Sequence, residues 1–424
     1  MTATTSSKPG GWEPDDLWRT CAPQVLAALV RRYGEFDAAE DAVQEALLAA
    51  ARQWPDDGVP DNPKAWLIRV ASRRLIDHQR SERSRTQRER LVGQQRPDDE
   101  LFDAAADHPT KSVDDSVIVL LQCCHPDLPL PSRVALTLRA VGGLSTAQIA
   151  RAFLVPEATI AQRISRAKTR LRRLDAPFAA PTAVELPDRV NAVVQVLYLI
   201  FTEGHLSTTG GPLYDRSLSD EAIRLTRWLH HQLPQADEVT GLLALMLLTD
   251  ARRAARLGAD GSLIPLTDQD RTLWDHRRAA EGITLIESVL ASGPVGPYQL
   301  QAAIAAVHAE ATRAEDTDWL QIEALYRMLA ELAPSPVLTL NHAVAVAMVR
   351  GPEAGLAMIE PLTDHKALRG NHRLPVVRAH LLDLAGRSSE AQTEYAAAAR
   401  LATSVPEQRY LRARATGSLS RPSG

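Results

Sequence analysis

The chain has 424 residues, enough for two to four domains, and its 45% hydrophobic and 24% charged residues are ordinary for a soluble globular protein. The net charge of −4 excludes a uniformly basic nucleic-acid-binding protein, so any such surface has to be local. Because aromatic residues make up only 4% while Ala, Leu and Arg dominate, we expect an all-α fold.

Cysteine use and the lack of long apolar runs in the sequence indicate a cytoplasmic protein with no membrane partner. Residues 1–11 have the composition of a disordered polar leader. Cys21 is isolated, and Cys123 and Cys124 are adjacent, so they form no disulfide framework. A metal site at Cys123, Cys124 and His125 is the alternative, but adjacent cysteines seldom share one ion. We expect buried small residues there, with no metal and no cofactor.

The first block of predicted helices covers residues 18–89. A helix begins near Phe36, with Asp37 as its candidate N-cap and Glu40 three residues later, as in a capping box. This helix carries an acidic stretch. Its members are Glu35, Asp37, Glu40, Asp41 and Glu45. A solvent-exposed helix face explains such a stretch equally well when the residues are considered alone.

A loop and a basic helix complete the block. Residues 54–63 contain the Pro, Asp, Gly and Asn of a loop, and residues 66–78 return to helical spacing. A basic stretch begins in this helix and continues beyond it. Its members are Arg69, Arg73, Arg74, Arg80, Arg83, Arg85, Arg88 and Arg90. The polar, weakly periodic residues 87–111 are predicted to be a linker.

Residues 144–173 have the pattern of a helix-turn-helix. Ser145 can cap a short first helix. Val155 and Pro156 end that helix, because proline fixes φ and disfavours helix in the residue before it. A second helix begins at Glu157 or Thr159. Its apolar stripe is Ile160, Ile164, Ala167 and Leu171.

The other faces of the second helix are strongly basic. They carry Gln162, Arg163, Arg166, Lys168, Arg170, Arg172 and Arg173. Gln and Arg can read base edges in the major groove, and the remaining cations suit phosphates. A solvent-exposed basic face is the alternative, but turn chemistry, apolar spacing and arginine density together favour DNA binding.

The C-terminal half is a large helical region without an enzyme motif. It contains no Gly-rich phosphate loop, no His-Glu-x-x-His and no nucleophile elbow. Its end shows a weak repeat of small and large residues near the 34-residue period of tetratricopeptide helix pairs. The repeat positions include Ala343, Gly355, Ala379, Ala391, Tyr395 and Ala398. A generic Ala-rich bundle is the alternative to such repeats.

Another stretch of the C-terminal half, residues 251–275, combines arginines and aspartates. It could form a buried polar network, a ligand pocket or a domain interface, and we favour a structural interface. His205 and the pair His230 and His231 are expected to be structural residues rather than ligands.

Two separated stretches resemble the extracytoplasmic-function group of bacterial sigma factors. Residues 39–46, Ala-Glu-Asp-Ala-Val-Gln-Glu-Ala, resemble the region 2 signature that docks on the polymerase β′ subunit. Residues 66–71, Trp-Leu-Ile-Arg-Val-Ala, with the arginines that follow, resemble the helix that meets the −10 element. The helix-turn-helix resembles region 4, which reads the −35 element. Four further runs are typical of a subgroup with a long, tetratricopeptide-like C-terminal extension. They begin at Cys123, Phe201, Asp268 and Thr317.

The resemblance implies roles for individual residues. Core polymerase would contact Glu40, Asp41, Gln44 and Glu45. The −10 strand would contact Arg69, Arg73, Arg74 and Arg80. The −35 duplex would contact Thr159, Gln162, Arg163, Arg166, Lys168 and Arg170. Gln162 departs from the small polar residue common in the group and can pair with adenine, so the promoter preference should differ.

The resemblance also implies the domain order. Region 2, a helical bundle, is expected over 15–90 and region 4 over 112–175, with linkers at 91–111 and 176–187. A helical extension is expected over 188–294, followed by tetratricopeptide-like repeats over 295–415. The implied function is non-catalytic: binding of core RNA polymerase, through its β and β′ subunits, and promoter recognition.

The sequence leaves alternatives open for the role of the extension and for the function of the chain. The extension would modulate activity, with a regulatory protein or ligand as its candidate partner. A one-component helix-turn-helix regulator with a helical ligand-sensing domain is the alternative function, and it needs no acidic cluster near Glu40. An interaction scaffold is a third class, and it leaves both N-terminal modules unexplained.

Overall fold

Every regular element in the described part of the chain is a helix, apart from one isolated antiparallel bridge between Leu257 and Leu263. A computed structural model describes residues 14–89, 115–153, 155–174, 181–206, 216–291 and 293–418. The predicted all-α fold is confirmed. Among these residues, no helix combines the length and the apolar character needed to cross a membrane. The predicted leader and most of the predicted linker, residues 90–111, lie outside the described ranges.

The chain divides into two compact units, residues 1–196 and 197–424. In the first unit the described helices are α1 (Pro14–Tyr33), α2 (Phe36–Asp57), α3 (Pro63–Glu89), α4 (Asp115–Cys123), α5 (Leu130–Ala140), α6 (Thr146–Ala152) and α7 (Glu157–Arg173). The boundary between the units falls within α8 (Leu186–Leu206). The second unit continues with α9 (Arg216–Gln232), α10 (Asp237–Ala251), α11 (His276–Leu290), α12 (Pro297–Glu310), α13 (Trp319–Leu332), α14 (Pro336–Arg350), α15 (Pro352–Ile359), α16 (Arg373–Leu384), α17 (Ser388–Leu401) and α18 (Val405–Ala415).

Helix α2 is longer than the sequence predicts. It continues past Pro55 to Asp57, so the predicted loop at 54–63 shrinks to residues 58–62. Trp54 explains the extra turn, because its side chain is buried and meets the Trp66 ring edge-on, with the ring centroids 5.2 Å apart. Gly58 ends the helix with a φ of +83°, a conformation that glycine adopts without steric cost.

The N-cap prediction at Asp37 is wrong. The N-cap position belongs to Glu35, which makes no side-chain capping bond, and Asp37 lies in the first helical turn. A carboxylate there still interacts favourably with the helix dipole. The Asp37 side chain does not cap the helix and forms ion pairs with Lys168 and Arg172 of α7.

The helix-turn-helix forms as predicted. Ser145 and Gln148 make a capping box: the Gln148 N–H donates to Ser145 Oγ (3.1 Å), and the Ser145 N–H donates to Gln148 Oε1 (2.7 Å). The turn ends at Pro156, and α7 begins at Glu157, the earlier of the two predicted starts. The predicted apolar stripe is buried. It consists of Ile160, Ile164, Ala167 and Leu171.

Replacing Ser145 with alanine is expected to cost about 1 kcal/mol of the free energy of unfolding, because the Gln148 N–H loses its acceptor. Thermal unfolding followed by circular dichroism measures the loss. Ser165→Ala is the control, because Ser165 is exposed in the middle of α7 and caps no helix. Equal loss in both variants would contradict the capping role.

The paired cysteines are buried as predicted. Cys123 and Cys124 are both 0% exposed, and Cys124 Sγ lies 3.4 Å from Thr137 Oγ1. Burial raises the pKa of Cys124 to about 12, although the contact with Thr137 opposes the shift. A thiol with this pKa stays protonated and unreactive at neutral pH. No group of three metal-ligating side chains occurs among the residues that the structure describes.

Small residues allow close helix packing in the second unit, at positions that the repeat pattern singles out. Ala379, Ala391, Tyr395 and Ala398 lie in one buried cluster between α16 and α17. A Cβ atom at Gly355 would lie 2.7 Å from the carbonyl oxygen of Ala343, so α14 and α15 approach each other closely. The consecutive helices α13 to α18 therefore pack as neighbours, as stacked helix pairs require.

A buried carboxylate joins three helices of the second unit. Arg253 Nε donates to Asp250 Oδ1 (2.7 Å), and its Nη2 donates to Asp220 Oδ1 on α9 (2.9 Å). Arg278, on α11, forms a second ion pair with Asp250. Arg253 is the member of the predicted stretch 251–275 in this polar network, whereas Asp220, Asp250 and Arg278 lie outside that stretch. Its role supports the structural interpretation for this residue.

Candidate nucleic-acid interface

Helix α7 presents a solvent-exposed polar face opposite its buried stripe. Gln162, Ser165, Arg166 and Arg170 are exposed, and their spacing of three or four residues places them along one side of the helix. Thr159 and Arg163 are half-buried beside these residues. We call the exposed set Gln162, Ser165, Arg166 and Arg170 the recognition face, because a helix in the major groove needs long polar side chains in this arrangement.

The recognition face is positioned by the rest of its module. Helices α5 and α6 both pack against α7, and Ile149 and Ile160 are each almost fully buried in the module. The capping box fixes where α6 begins, and Pro156 fixes where α7 begins. A scaffold of this kind fixes the backbone that carries the exposed polar side chains, which lowers the ordering cost of binding a partner.

A second basic face lies on α3. Arg69, Arg73, Arg74 and Arg80 are all exposed. At ~100° per residue, Arg69, Arg73 and Arg80 fall within about 40° of one another around the helix, and Arg74 lies roughly 100–140° from them. Arg74 Nε also lies 3.6 Å from Glu45 Oε2, an exposed pair on the neighbouring α2. Within the described residues, Arg74 is therefore paired, whereas Arg69, Arg73 and Arg80 form no ion pair.

The predicted polymerase-binding residues on α2 differ in accessibility. Asp41 and Glu45 are exposed, Gln44 is half-buried and Glu40 is only 2% exposed. Glu40 Oε1 accepts a hydrogen bond from Arg139 Nε on α5 (3.1 Å). Its other oxygen, Oε2, lies 2.6 Å from Lys168 Nζ on α7.

Lys168 is the centre of this contact. Its Nζ lies 3.1 Å from Asp37 Oδ1 and 3.0 Å from Asp41 Oδ1, in addition to Glu40. Burial by itself would lower the pKa of Lys168, but the carboxylates of Glu40 and Asp41 outweigh it and the pKa is raised. Lys168 is therefore charged, 8% exposed and turned away from the recognition face.

Three members of this cluster are not among the predicted binding residues: Asp37 and Arg172, which the sequence places in charged stretches, and Arg139. Arg172 pairs with Asp37 one turn beyond Lys168. A signal was present, because residues 37, 40 and 41 share one helix face and residues 168 and 172 share another. We call the group Asp37, Glu40, Asp41, Arg139, Lys168 and Arg172 the α2–α7 ion cluster.

Comparison with known proteins assigns the two modules. Residues 17–85 match the family Sigma-70 region 2, and residues 118–171 match Sigma-70, region 4. The probable ECF RNA polymerase sigma factor SigI of Mycobacterium tuberculosis, in two strains, is 28% identical over 154 residues. That alignment covers 36% of this chain and 52% of the relative. The chain therefore carries sigma-70 regions 2 and 4 followed by a long C-terminal extension, an arrangement consistent with an extracytoplasmic-function sigma factor.

The C-terminal extension matches a family model, and a further relative aligns with nearly the whole chain. Residues 189–290 match a family of unknown function, DUF6596. An uncharacterized protein of Rhizobium meliloti (strain 1021) is 43% identical over 399 residues, which is 92% of each chain. No solved structure matches the sigma factor. Regions 2 and 4 together make it a promoter-recognition protein of the sigma type.

Proposed function

We propose that this sigma factor binds core RNA polymerase, through the β and β′ subunits, and directs it to promoters without catalytic activity of its own. The observation that carries the proposal is the presence of two exposed basic faces, on α3 and on α7, within sigma-70 regions 2 and 4. One face suits a single strand and the other suits a duplex, which are the two states of a promoter during opening.

The polymerase contact is proposed at Glu40, Asp41, Gln44 and Glu45 of α2. Asp41 and Glu45 are exposed and available to a basic partner surface. Glu40 becomes available only when the α2–α7 ion cluster separates. Complementary charge would steer the encounter and set its specificity.

The −10 contact is proposed at the basic face of α3. Arg69, Arg73 and Arg80 can follow the backbone of an unpaired strand, and Arg74 can join them from the adjacent face. The half-buried Trp66 packs against Trp54, which favours a core role for that ring. Capture of unstacked bases is what region 2 must supply for promoter opening.

The −35 contact is proposed at the recognition face with its half-buried neighbours. Gln162 and Arg166 are placed to read base edges, with Thr159 and Arg163 beside them. Arg170 would meet phosphate, as would Lys168 once it leaves the acidic cluster. Gln162 would favour adenine at its position.

Replacing Arg166 with alanine is expected to weaken binding to the −35 duplex by about 1–3 kcal/mol while leaving polymerase binding intact. Arg166 is exposed on α7 and takes no part in the α2–α7 ion cluster, so its loss should not disturb α2. Gel shifts and polymerase pull-downs measure the two activities. Arg52→Ala, an exposed arginine on α2, is the matched control. Equal loss of both activities in R166A would contradict this division of roles.

The extension is proposed to modulate the sigma factor, with a regulatory protein or a ligand as its partner. Its described residues form mostly helices with their own buried clusters, so its packing does not depend on the promoter-contacting helices. Truncation after about residue 180 tests this part of the proposal. Transcription from the truncated factor should change, and an unchanged level would contradict modulation.

Run-off transcription with purified bacterial core polymerase, on a promoter library read by sequencing, tests the whole function. Specific start sites that depend on the protein are expected, and they deliver the promoter consensus directly. No transcripts, together with stable duplex binding by the protein alone, would instead support a one-component regulator.

A further inference from the structure

A long loop connects α10 to α11. It comprises residues 252–275, which we call the strap, and its regular structure is limited to three short 3₁₀ helices and the bridge between Leu257 and Leu263. Helices α10 and α11 pack directly against each other, so a much shorter connection would join them. Ordered loops longer than about 15 residues are uncommon in compact domains and are usually functional.

The tip of the strap is a hairpin that holds its own shape. Asp260 Oδ1 accepts hydrogen bonds from the N–H (2.9 Å) and the hydroxyl (2.6 Å) of Ser262. The Gly258 N–H donates to the Ser262 carbonyl oxygen (2.9 Å). Gly261 turns the chain with a φ of +74°, a conformation that favours glycine. These bonds are local, so the hairpin meets the rest of the second unit as a preformed element.

The hairpin binds α18, the last helix of the described chain. The Leu263 N–H donates to the Pro406 carbonyl oxygen (3.3 Å), and Arg409 Nη1 donates to the Asp260 carbonyl oxygen (2.9 Å). Pro406 is buried, whereas Arg409 is exposed. Asp260 and Arg409 are 149 positions apart, so the hairpin joins distant parts of the second unit.

A second anchor of the strap lies at the end of α12. Arg271 Nη1 donates to the carbonyl oxygens of His308 (2.5 Å) and Ala311 (2.6 Å). Carbonyls at the end of a helix lack partners within the helix, so this arginine satisfies them. The Arg271 guanidinium also lies over the buried Trp274 ring, 4.6 Å from its centroid. The strap is therefore fixed to α12 as well as to α18.

Helix α18 belongs to the far end of the helix array. It packs against α17, and Leu411 lies in the buried cluster that contains Tyr395 and Ala398. Contacts between successive helices lead from α10 through α12 to α18. The strap adds a direct connection from the start of this series to its end, so the contacts form a closed circuit.

We propose that the strap ties α18 to the first helices of the second unit, so that the two ends of the array open together. In an open array each helix pair contacts only its neighbours, and one end frays without affecting the other. In the closed circuit, the hairpin and α18 each lose an anchor when the other leaves. This coupling is independent of the proposed function.

One consequence does rest on the proposed function. The curvature of a helix array shapes its binding surface. A strap anchored on α12 and α18 would limit changes in that curvature, and so fix the surface that the extension offers to its proposed partner.

Hydrogen exchange of the full chain, read by mass spectrometry, tests the coupling without polymerase, DNA or partner. Arg409→Glu removes the donor to the hairpin and sets a negative charge beside Asp260. Exchange should speed up at least about fivefold in residues 256–264 and in α18, a change equivalent to about 1 kcal/mol for one lost hydrogen bond. Helix α13, which has no contact with the hairpin among the printed hydrogen bonds and ion pairs of the described residues, should keep its rates.

Arg412→Glu is the matched control. It makes the same charge change on the same helix, at an exposed side chain that forms no hydrogen bond or ion pair among the described residues. Exchange in the hairpin and in α18 should stay at the wild-type rates in R412E. A rise in R412E as large as that in R409E would show a general effect of charge and would overturn the coupling.

Two further variants separate coupling from unfolding. Arg409→Ala removes the donor without adding a negative charge, so it should give a smaller rise in the same two regions. Deletion of residues 405–424 removes α18 and should speed exchange in the hairpin, although the hairpin itself is intact. Wild-type rates in the hairpin after this deletion would overturn the proposal. So would faster exchange in α18 of R409E with an unchanged hairpin, or an equal rise at α13 in R409A.

Discussion

The Asp250→Ala variant is expected to lose about 3 kcal/mol of the free energy of unfolding of the second unit. The Asp250 side chain is 1% exposed, and the guanidinium groups of Arg253 and Arg278 converge on it from two sides. Without the carboxylate, two partly buried cations would face each other. The estimate is at the low end for a broken buried pair, because Asp220 still pairs with Arg253 and solvent reaches Arg278.

Thermal unfolding measures this loss, since 1 kcal/mol shifts the midpoint of a domain of this size by about 2–4 °C. Hydrogen exchange of α9, α10 and α11 should locate the effect, because the network joins these helices. Glu390→Ala is the control: its pair with Arg387 is exposed, and the midpoint should not move. A wild-type midpoint in D250A would contradict the structural role of the network.

The variant that combines Arg69→Ala, Arg73→Ala and Arg80→Ala is expected to bind a promoter with a melted −10 segment at least about a hundredfold more weakly. This loss corresponds to a binding free energy on the order of 3 kcal/mol. These three arginines are exposed on one face of α3, where they can hold the backbone of the −10 strand. Their loss should also reduce the salt dependence, by about 0.7 in log–log slope for each lost contact with a single strand. Polymerase binding should persist, because the proposed contact is on α2.

Binding to a fluorescent promoter with a premelted −10 segment, at several salt concentrations, measures both quantities. Arg74→Ala is the informative comparison, because Arg74 lies on another side of α3 and already pairs with Glu45. It should cost much less than the triple change. A loss in R74A as large as that of the triple variant would place the DNA strand on the other face.

Local chemistry made the helix-turn-helix predictable. The capping box of Ser145 and Gln148, the stop at Pro156 and the buried stripe of α7 depend on residues within a few positions of one another. Such patterns act through backbone geometry and helical period, so they can be read without knowing the rest of the fold. The same holds for the small residues of α16 and α17, whose spacing anticipated a buried cluster.

Predictions failed where a distant residue decided the outcome. The loop predicted from Trp54 became the last turn of α2, because Trp54 is buried and packs against Trp66. Asp37 is of a residue type that commonly caps helices, yet in the fold it pairs with Lys168 and Arg172. In each case the local preference is worth about 1 kcal/mol or less, and tertiary packing overrides it.

The sequence by itself determined that the chain is all-α, that it carries a basic recognition helix and that acidic residues cluster on α2. Only the tertiary structure decided that Lys168 leaves the recognition face and that Glu40 is buried against it. Helical period shows which side of a helix is charged, but it does not show what that side meets. Lys168 meets Asp41 across 127 positions of the chain, and contacts at that separation exist only once the modules have packed together.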